Sequence, residues 1–214
     1  GIVGTRKATE YGKAMTQKIV RNLARYNPLI ISGLAYGIDI TAHKACVETG
    51  IETIGVMGNG LGSIYPAQHR QVAERMVKNG GLLTEYCHQL GPDREHFPAR
   101  NRIIAGLCDA LLVVATERKG GSMISAYKAL DYHKEVFAVP GRVKDRYSVG
   151  CNFLIRTHRA ALVESAEQIA QEMNWEANCN VIQPALFQSF TSEEQQIVDT
   201  LRTKDQMGLD ELSY

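Results

Sequence analysis

The chain has 214 residues with 24 basic and 23 acidic side chains, a formal net charge of +1, and 44% of its residues are apolar. That balance is the one of an ordinary globular protein and excludes collagen-like, coiled-coil and wholly disordered chains. No apolar run approaches the ~18 residues of a membrane span, and no basic-then-apolar leader opens the chain.

The chain opens at Gly1 already inside a strand-like run, GIVG (1–4), and is read as a fragment. Thr9 to Tyr26 carries Met15, Ile19, Val20 and Leu23 at helical spacing, with Thr9 as N-cap. LIIS (29–32) is a strand, Ile38 to Val47 a helix, ETIGVM (52–57) a strand, Ala67 to Lys78 a helix and GLLTE (81–85) a strand. Pro98 to Leu107 begins a further helix and ALLVVA (110–115) is an apolar strand. Ser122 to Tyr132 is a helix, and the strand EVFAV (135–139) is stopped by Pro140-Gly141. Regular strand–helix alternation predicts an α/β fold, a doubly wound and mostly parallel sheet covered on both faces. Right-handed crossovers then place every strand-to-helix loop on one rim, where ligands bind.

Composition changes after Trp175. Residues 1–175 are expected to form the α/β domain, 176–190 a linker, and 191–214 a small partial helical unit. In the last segment Thr191 and Glu194 form a capping box ahead of Ile197, Val198 and Leu201. Residues 181–214 hold two basic and six acidic side chains, a net of −4, so the remaining 180 carry +5. Basic residues cluster at Arg6-Lys7, Arg94 to Arg102, Arg118-Lys119, Arg142 to Arg146 and Arg156 to Arg159. Clusters of this kind beside glycines favour an anionic partner such as phosphate or nucleic acid.

Four strand-to-helix loops are rich in glycine and donors: GTRK (4–7), SGLAYGID (32–39), GNGLGSIYP (58–66) and RKGGS (118–122). Glycine lets a backbone approach a ligand closely, and free amides at helix starts bind anions. Four such loops on one rim predict a phosphate-binding surface. FPARNR (97–102) adds Arg100 and Arg102, whose forked guanidinium groups bind phosphate oxygens in pairs. Neither G-x-G-x-x-G with its distant acidic residue nor GxxxxGK[ST] occurs, so dinucleotide and P-loop sites are disfavoured.

Catalytic patterns are thin. The six histidines are scattered without HExxH, and no GxSxG occurs. Ser32-Gly33 reads as turn chemistry. Asp39 and Glu85 follow strands on the ligand rim and are candidate bases, with helix capping or an ion pair to FPARNR as the stronger structural alternative. Five dispersed cysteines, Cys46, Cys87, Cys108, Cys151 and Cys179, without a CxxC pair, point to a reduced cytosolic chain. They argue against a disulfide scaffold or zinc site, so no metal and no cofactor are expected.

The chain closely resembles the bacterial DNA-processing protein A family. The likeness runs in order through GTR (4–6), ISGLAYGIDITAH (31–43), VMGNGLGSIYP (56–66), LLTE (82–85), FPARNRIIAGL (97–107), GGSMISA (120–126), VFAVPG (136–141) and SVGCNFLI (148–155). The resemblance implies an extended Rossmann-like domain that binds single-stranded DNA without catalysis, in the cytoplasm. It implies dimerisation and loading of the recombinase RecA onto incoming DNA during natural transformation. It also implies that the segment from Thr191 begins a winged-helix-like domain. Carried over by motif, DNA would be held by Arg6, Gly33, Gly37, Arg100, Asn101, Arg102, Gly121 and Ser122, the last two through backbone and hydroxyl donors; Lys7 and Lys119, from the basic clusters beside these motifs, are further candidate DNA contacts. Tyr36, Tyr65 and Phe97 are candidates for base stacking, with packing as the alternative.

Two stretches depart from the family pattern. Thr157 to Ala161 stands where a Gly-Ala pair is common, and Glu117-Arg118-Lys119 is more basic than in many relatives. The competing reading is a nucleotide-binding protein or nucleoside monophosphate hydrolase of the lysine-decarboxylase-like class. Its PGGxGTxxE signature is absent, since GGSMISA lacks the glutamate.

Overall fold

The structure, a computed structural model, describes residues 1–177. The readings of 191–214 as a partial winged-helix-like unit and of 178–190 as linker lie outside the described residues. The elements in chain order are β1 (Ile2–Val3), α1 (Glu10–Leu23), β2 (Ile30–Ser32), α2 (Ile38–Thr49), β3 (Thr53–Val56), α3 (Arg70–Met76), β4 (Gly80–Leu83) and α4 (His96–Leu107). β5 (Ala110–Val113), α5 (Gly121–Asp131), β6 (Glu135–Ala138), α6 (Val149–Arg156), β7 (Ala161–Leu162) and α7 (Ala166–Glu172) complete them.

All strand pairing is parallel, as expected for an α/β chain. The ladder is divided into β2-β3-β4 and β1-β5-β6-β7. The two rows meet at β1 and β2, where the Ser32 hydroxyl donates to the Ile2 carbonyl at 2.6 Å in place of a backbone ladder. The strand sequence across the molecule is therefore 4-3-2-1-5-6-7. The chain builds outward from β1 to β4, returns to the other side of β1, and builds outward again. That reversal makes the crevice above β1 and β5 the topological switch point.

Alternating side chains explain the two-sided core. Ile2, Leu112 and Phe137 face the helices α1, α2 and α7, against Ile19, Val20, Ala42, Cys46 and Ile169. Their neighbours Val3, Leu111, Val113, Val136 and Ala138 face α4, α5 and α6, against Ile104, Met123, Ala126, Cys151 and Leu154. The central strands β1, β5 and β6 thus bury both faces, which is why they read as nearly continuous apolar runs. The Thr9 hydroxyl caps α1 by accepting the Gly12 amide at 3.2 Å.

Helix α4 starts at His96, two residues before the expected Pro98. A proline in the first helical turn is harmless, because that turn's amides have no intrahelical partner. The helix expected over 67–78 is α3 flanked by short 3₁₀ turns, Ala67–His69 and Val77–Asn79. Among the described residues no helix is long and apolar enough to cross a membrane, and no group of three or more His, Cys, Asp or Glu side chains is placed to hold a metal ion.

Candidate nucleic-acid interface

Above the switch point the loops after β1 and β2 interlock. Gly37 adopts φ +77°, and a Cβ there would stand 2.2 Å from the Thr5 carbonyl oxygen. Only glycine fits that close approach in that conformation. The Ile38 amide, first of α2, donates to the same Thr5 carbonyl at 3.3 Å. Gly37 and the start of α2 therefore hold the GTR loop in place. The Thr5 amide donates to Ala115 O at 2.7 Å and ties that loop to the end of β5.

The start of α5 is arranged differently. Gly120 at its N-cap supplies no side-chain cap, and the Gly121 and Ser122 amides have no intrahelical acceptor. Gly121 is exposed, and open space surrounds its α-carbon. These amides border a cleft of about 270 Å³ whose other walls include Arg6, Lys7, Asn101 and Glu117, with Asp39 and Arg100 in its floor. Partial positive charge at the helix start and the two exposed cations face one hollow, which suits an anion.

A second, smaller hollow adjoins it on the other side of Arg6. Tyr36, Tyr65, Pro66 and Phe97 line it with Gly33, Arg6 and Arg100. The rings of Tyr65 and Phe97 lie 5.6 Å apart, and the Arg6 guanidinium sits 5.3 Å from the centre of the Phe97 ring. Tyr36 is held by a hydrogen bond to Gln68 (2.8 Å) and an edge contact with His69. Arg6 thus stands between the donor-lined cleft and a hollow with aromatic faces.

The motif residues separate into two layers. Arg6 and Lys7 are exposed at the mouth. Lys119 is exposed in the loop leading to α5 but is outside the cleft lining. Arg100 is 3% exposed. Its guanidinium donates to the Gly33 carbonyl at 2.7 Å and to the Val56 carbonyl, and its Nε to Asn101 Oδ1 at 3.3 Å. Asn101 in turn donates to the Gly121 carbonyl at 3.3 Å, linking α4 to α5. Gly33 is buried because the space of a side chain is already filled: a Cβ would stand 2.6 Å from Asp39 Oδ2 and 2.7 Å from Arg100 Nη2. Arg102 lies on the outer face of α4 and is ion-paired with Glu85, away from the cleft. The Ser122 hydroxyl is turned inward and donates to Thr116 Oγ1 at 2.6 Å, which leaves its backbone amide for a ligand.

The buried acidic, basic and imidazole side chains among the described residues are Asp39, His43, His69 and Arg100. Burial pushes the Asp39 carboxyl up, against the opposing effects of Arg100 and the Gly33 and Ala35 amides. Burial also lowers the Arg100 pKa, with Asp39 opposing. Thr53 donates its hydroxyl proton to Ile30 O at 2.9 Å, so its oxygen accepts from His43 Nδ1 at 2.8 Å. That fixes His43 as the Nδ1–H tautomer, with Nε2 unpartnered. Burial, with Arg100 and His69 adding repulsion, drops the His43 pKa to about 3, so the ring is neutral. Both candidate bases are accounted for structurally: Asp39 accepts from the Gly33 amide at 3.1 Å within the field of Arg100, and Glu85 pairs with Arg102.

Thr116 and Glu117 also belong to the cleft, although sequence reasoning did not select them as binding residues. Their position immediately after β5, at the ligand edge of the switch-point strand, is the signal that locates them.

The sequence model of the family described as DNA recombination-mediator protein A matches residues 1–174. The chain belongs to that family. It is 43% identical over 173 residues to the DNA processing protein DprA of Bacillus subtilis, a match covering 81% of this chain and 58% of that protein. The solved DNA processing protein A of Streptococcus pneumoniae superposes with a TM-score of 0.75 at 36% identity, over 82% of this chain and 60% of the other. A structure of the Helicobacter pylori protein, described by its single-stranded DNA binding mode, also gives a TM-score of 0.75. It is 31% identical and is matched over 82% of this chain and 80% of the other. This family member thus spans about two-fifths to three-fifths of the length of the curated relatives it matches first. Family membership and these likenesses bear out the extended Rossmann-like reading of the fold.

Proposed function

We propose that this domain binds single-stranded DNA without sequence selection and without catalysis. The observation that carries the reading is the convergence at one switch point of Arg6, Lys7 and the uncapped start of α5, beside a hollow walled by Tyr65 and Phe97. A phosphate accepts the Gly121 and Ser122 amides and the charge of Arg6 and Lys7. The neighbouring base lies against an aromatic face, which every base can do equally. Lys119 adds charge beside the loop. Arg100, Asn101, Gly33 and Gly37 act by shaping the surface from below and behind. Arg102 is a contact only if it leaves Glu85. The single-stranded DNA binding described for the Helicobacter pylori protein supports this reading.

The larger role follows the family. The proposed protein acts in the cytoplasm as a homodimer, protects incoming single strands, and loads the recombinase RecA onto them during natural transformation. Membership of a family of recombination mediators supports it. Two protomers on one strand raise the effective affinity of sites that each contact few phosphates.

The test is a fluorescence titration of labelled oligothymidine over a range of salt, with duplex DNA as competitor. Affinity is expected to fall steeply with salt, and duplex to compete weakly. Arg6→Ala is expected to lower affinity at least about tenfold, the loss of one charge-assisted contact, and to reduce the salt slope by about 0.7. A flat salt response, or an Arg6→Ala protein that binds like the parent, defeats the proposal. Incubation with nucleoside monophosphates is expected to release no free base.

A further inference from the structure

The sequence places its fourth basic cluster, Arg142 to Arg146, on the loop after β6, and none of these residues lines the cleft. We propose that this loop forms a second subsite for the same single strand, in which Tyr11 stacks on a base and Arg142 and Lys144 hold its phosphates. This rests on the single-strand reading of the cleft.

Three observations support it. First, a hollow of about 690 Å³ lies between Thr9 and Tyr11 at the start of α1 and Pro140, Gly141, Arg142 and Asp145. Tyr11 is 49% exposed, and its hydroxyl donates to the Pro140 carbonyl at 2.9 Å. The ring is therefore anchored by its polar end with part of its surface open, as a stacking platform requires.

Second, the charge is suited to a polyanion. Arg142 and Lys144 are exposed, and neither has a carboxylate within ion-pair reach among the described residues. The acidic group of the hollow, Asp145, is already engaged by the Ser148 hydroxyl at 2.7 Å and the Tyr147 amide at 3.2 Å.

Third, the hollow neighbours the cleft. Lys7 lines the cleft and Thr9 lines the hollow. Only Ala8 separates them, so the two residue steps span at most about 7 Å. On the other side Arg146 pairs with Glu117 of the cleft wall at 3.0 Å, and the Thr116 amide donates to Tyr147 O at 2.6 Å. Asn152 fixes the base of the loop through both Gly141 backbone groups, at 3.2 and 2.9 Å. A strand leaving the cleft past Lys7 therefore meets Tyr11 and Arg142 next along a braced rim.

The experiment titrates the full chain with oligothymidines from about 4 to about 16 nucleotides. The parent is expected to gain affinity in a step when the oligomer becomes long enough to reach the hollow. The double variant Arg142→Ala/Lys144→Ala is expected to lose that step, to bind the shortest oligomers normally, and to show a salt slope lower by about 1.4 with long ones. Tyr11→Ala is expected to weaken long oligomers about fivefold or more, while Tyr11→Phe, which keeps the ring, retains the step. Unchanged thermal unfolding of these surface variants confirms that they are folded. If the double variant binds long oligomers like the parent, or weakens short and long ones equally, the subsite is refuted. Arg6→Ala is expected to weaken every length. If it spares the shortest, the single-strand reading of the cleft fails instead.

Discussion

The mouth of the cleft and the layer just beneath it are built from the same motifs and do opposite things. At the mouth, Arg6 and Lys7 are exposed and the first amides of α5 lack a side-chain cap. A few ångströms below, Arg100 is buried with its guanidinium on two carbonyls, Asp39 accepts a backbone amide, and His43 is a neutral ring. Charge at the mouth is left available for a ligand. Charge below is used to close the ends of β2 and β3, where carbonyls would otherwise be buried without partners. Two arginines of similar appearance in the sequence, Arg6 and Arg100, thus differ in place: one is exposed at the mouth and the other is bonded within the fold.

Substitution in each layer tests that division, and the largest effect is expected below. Arg100→Ala removes a charged donor from the Gly33 and Val56 carbonyls and leaves Asp39 without its nearest compensating charge. A loss of about 3–5 kcal/mol in denaturant unfolding is expected; a loss within the scatter of surface variants would move Arg100 into the binding layer. Gly37→Ala forces a side chain into the Thr5 carbonyl at φ +77°, for about 2–3 kcal/mol by the same measurement, and weakens oligothymidine binding by shifting Arg6.

The pH dependence of stability comes next. In the unfolded chain His43 takes up a proton near pH 6.5, whereas in the folded protein it does so only near 3. Between those values the unfolded state holds more protons, so stability from this group is full above pH 6.5 and falls as pH drops toward 3. The expected slope is about 1.4 kcal/mol per pH unit. Comparing unfolding of the parent and His43→Gln between pH 7 and pH 4 reads it, since the variant lacks this slope. Arg102→Ala breaks only a half-exposed ion pair and is expected to cost less than about 1 kcal/mol. Arg6→Ala is expected to change stability by no more than about 0.5 kcal/mol while lowering DNA affinity. A comparable loss of stability would erase the contrast between the layers.

Much of the fold is legible because strands buried on both faces must be apolar throughout, as at Ile30, Ile31, Leu111, Leu112 and Val113. Thr9 likewise identifies itself as a cap by its residue type and its place before a periodic run. The elements α6, β7 and α7 are not evident from periodicity. They are eight, two and seven residues long, and β7 is exposed on both positions. Too few turns or alternations exist there to establish a period. The division of the sheet at β1 and β2 is bridged by the hydroxyl of Ser32, which sequence assigns only to a turn.

The rim itself is also legible, because glycines and cations recur after successive strands. What each glycine approaches is not. Gly37 accommodates the backbone of Thr5, a neighbour 32 residues away in the chain, and Gly33 leaves room for two side chains. Residue type shows that Arg100 and Ser122 can donate, but the acceptors, Gly33, Val56 and Thr116, come together only in three dimensions. The cysteines follow their residue type more closely. Cys46 and Cys151 are buried thiols pushed up to about 12, whereas Cys87 is exposed.

The contact of Gly37 with Thr5 has a consequence for how this surface varies. The loops after β1 and β2 behave as one mechanical part, since neither can be lengthened or given bulk without displacing the other. Change in the ligand face is therefore channelled to segments outside that clasp, such as the tip bearing Val143, which is 87% exposed. Grafting a new specificity onto this scaffold would start from that free tip and keep the clasp intact.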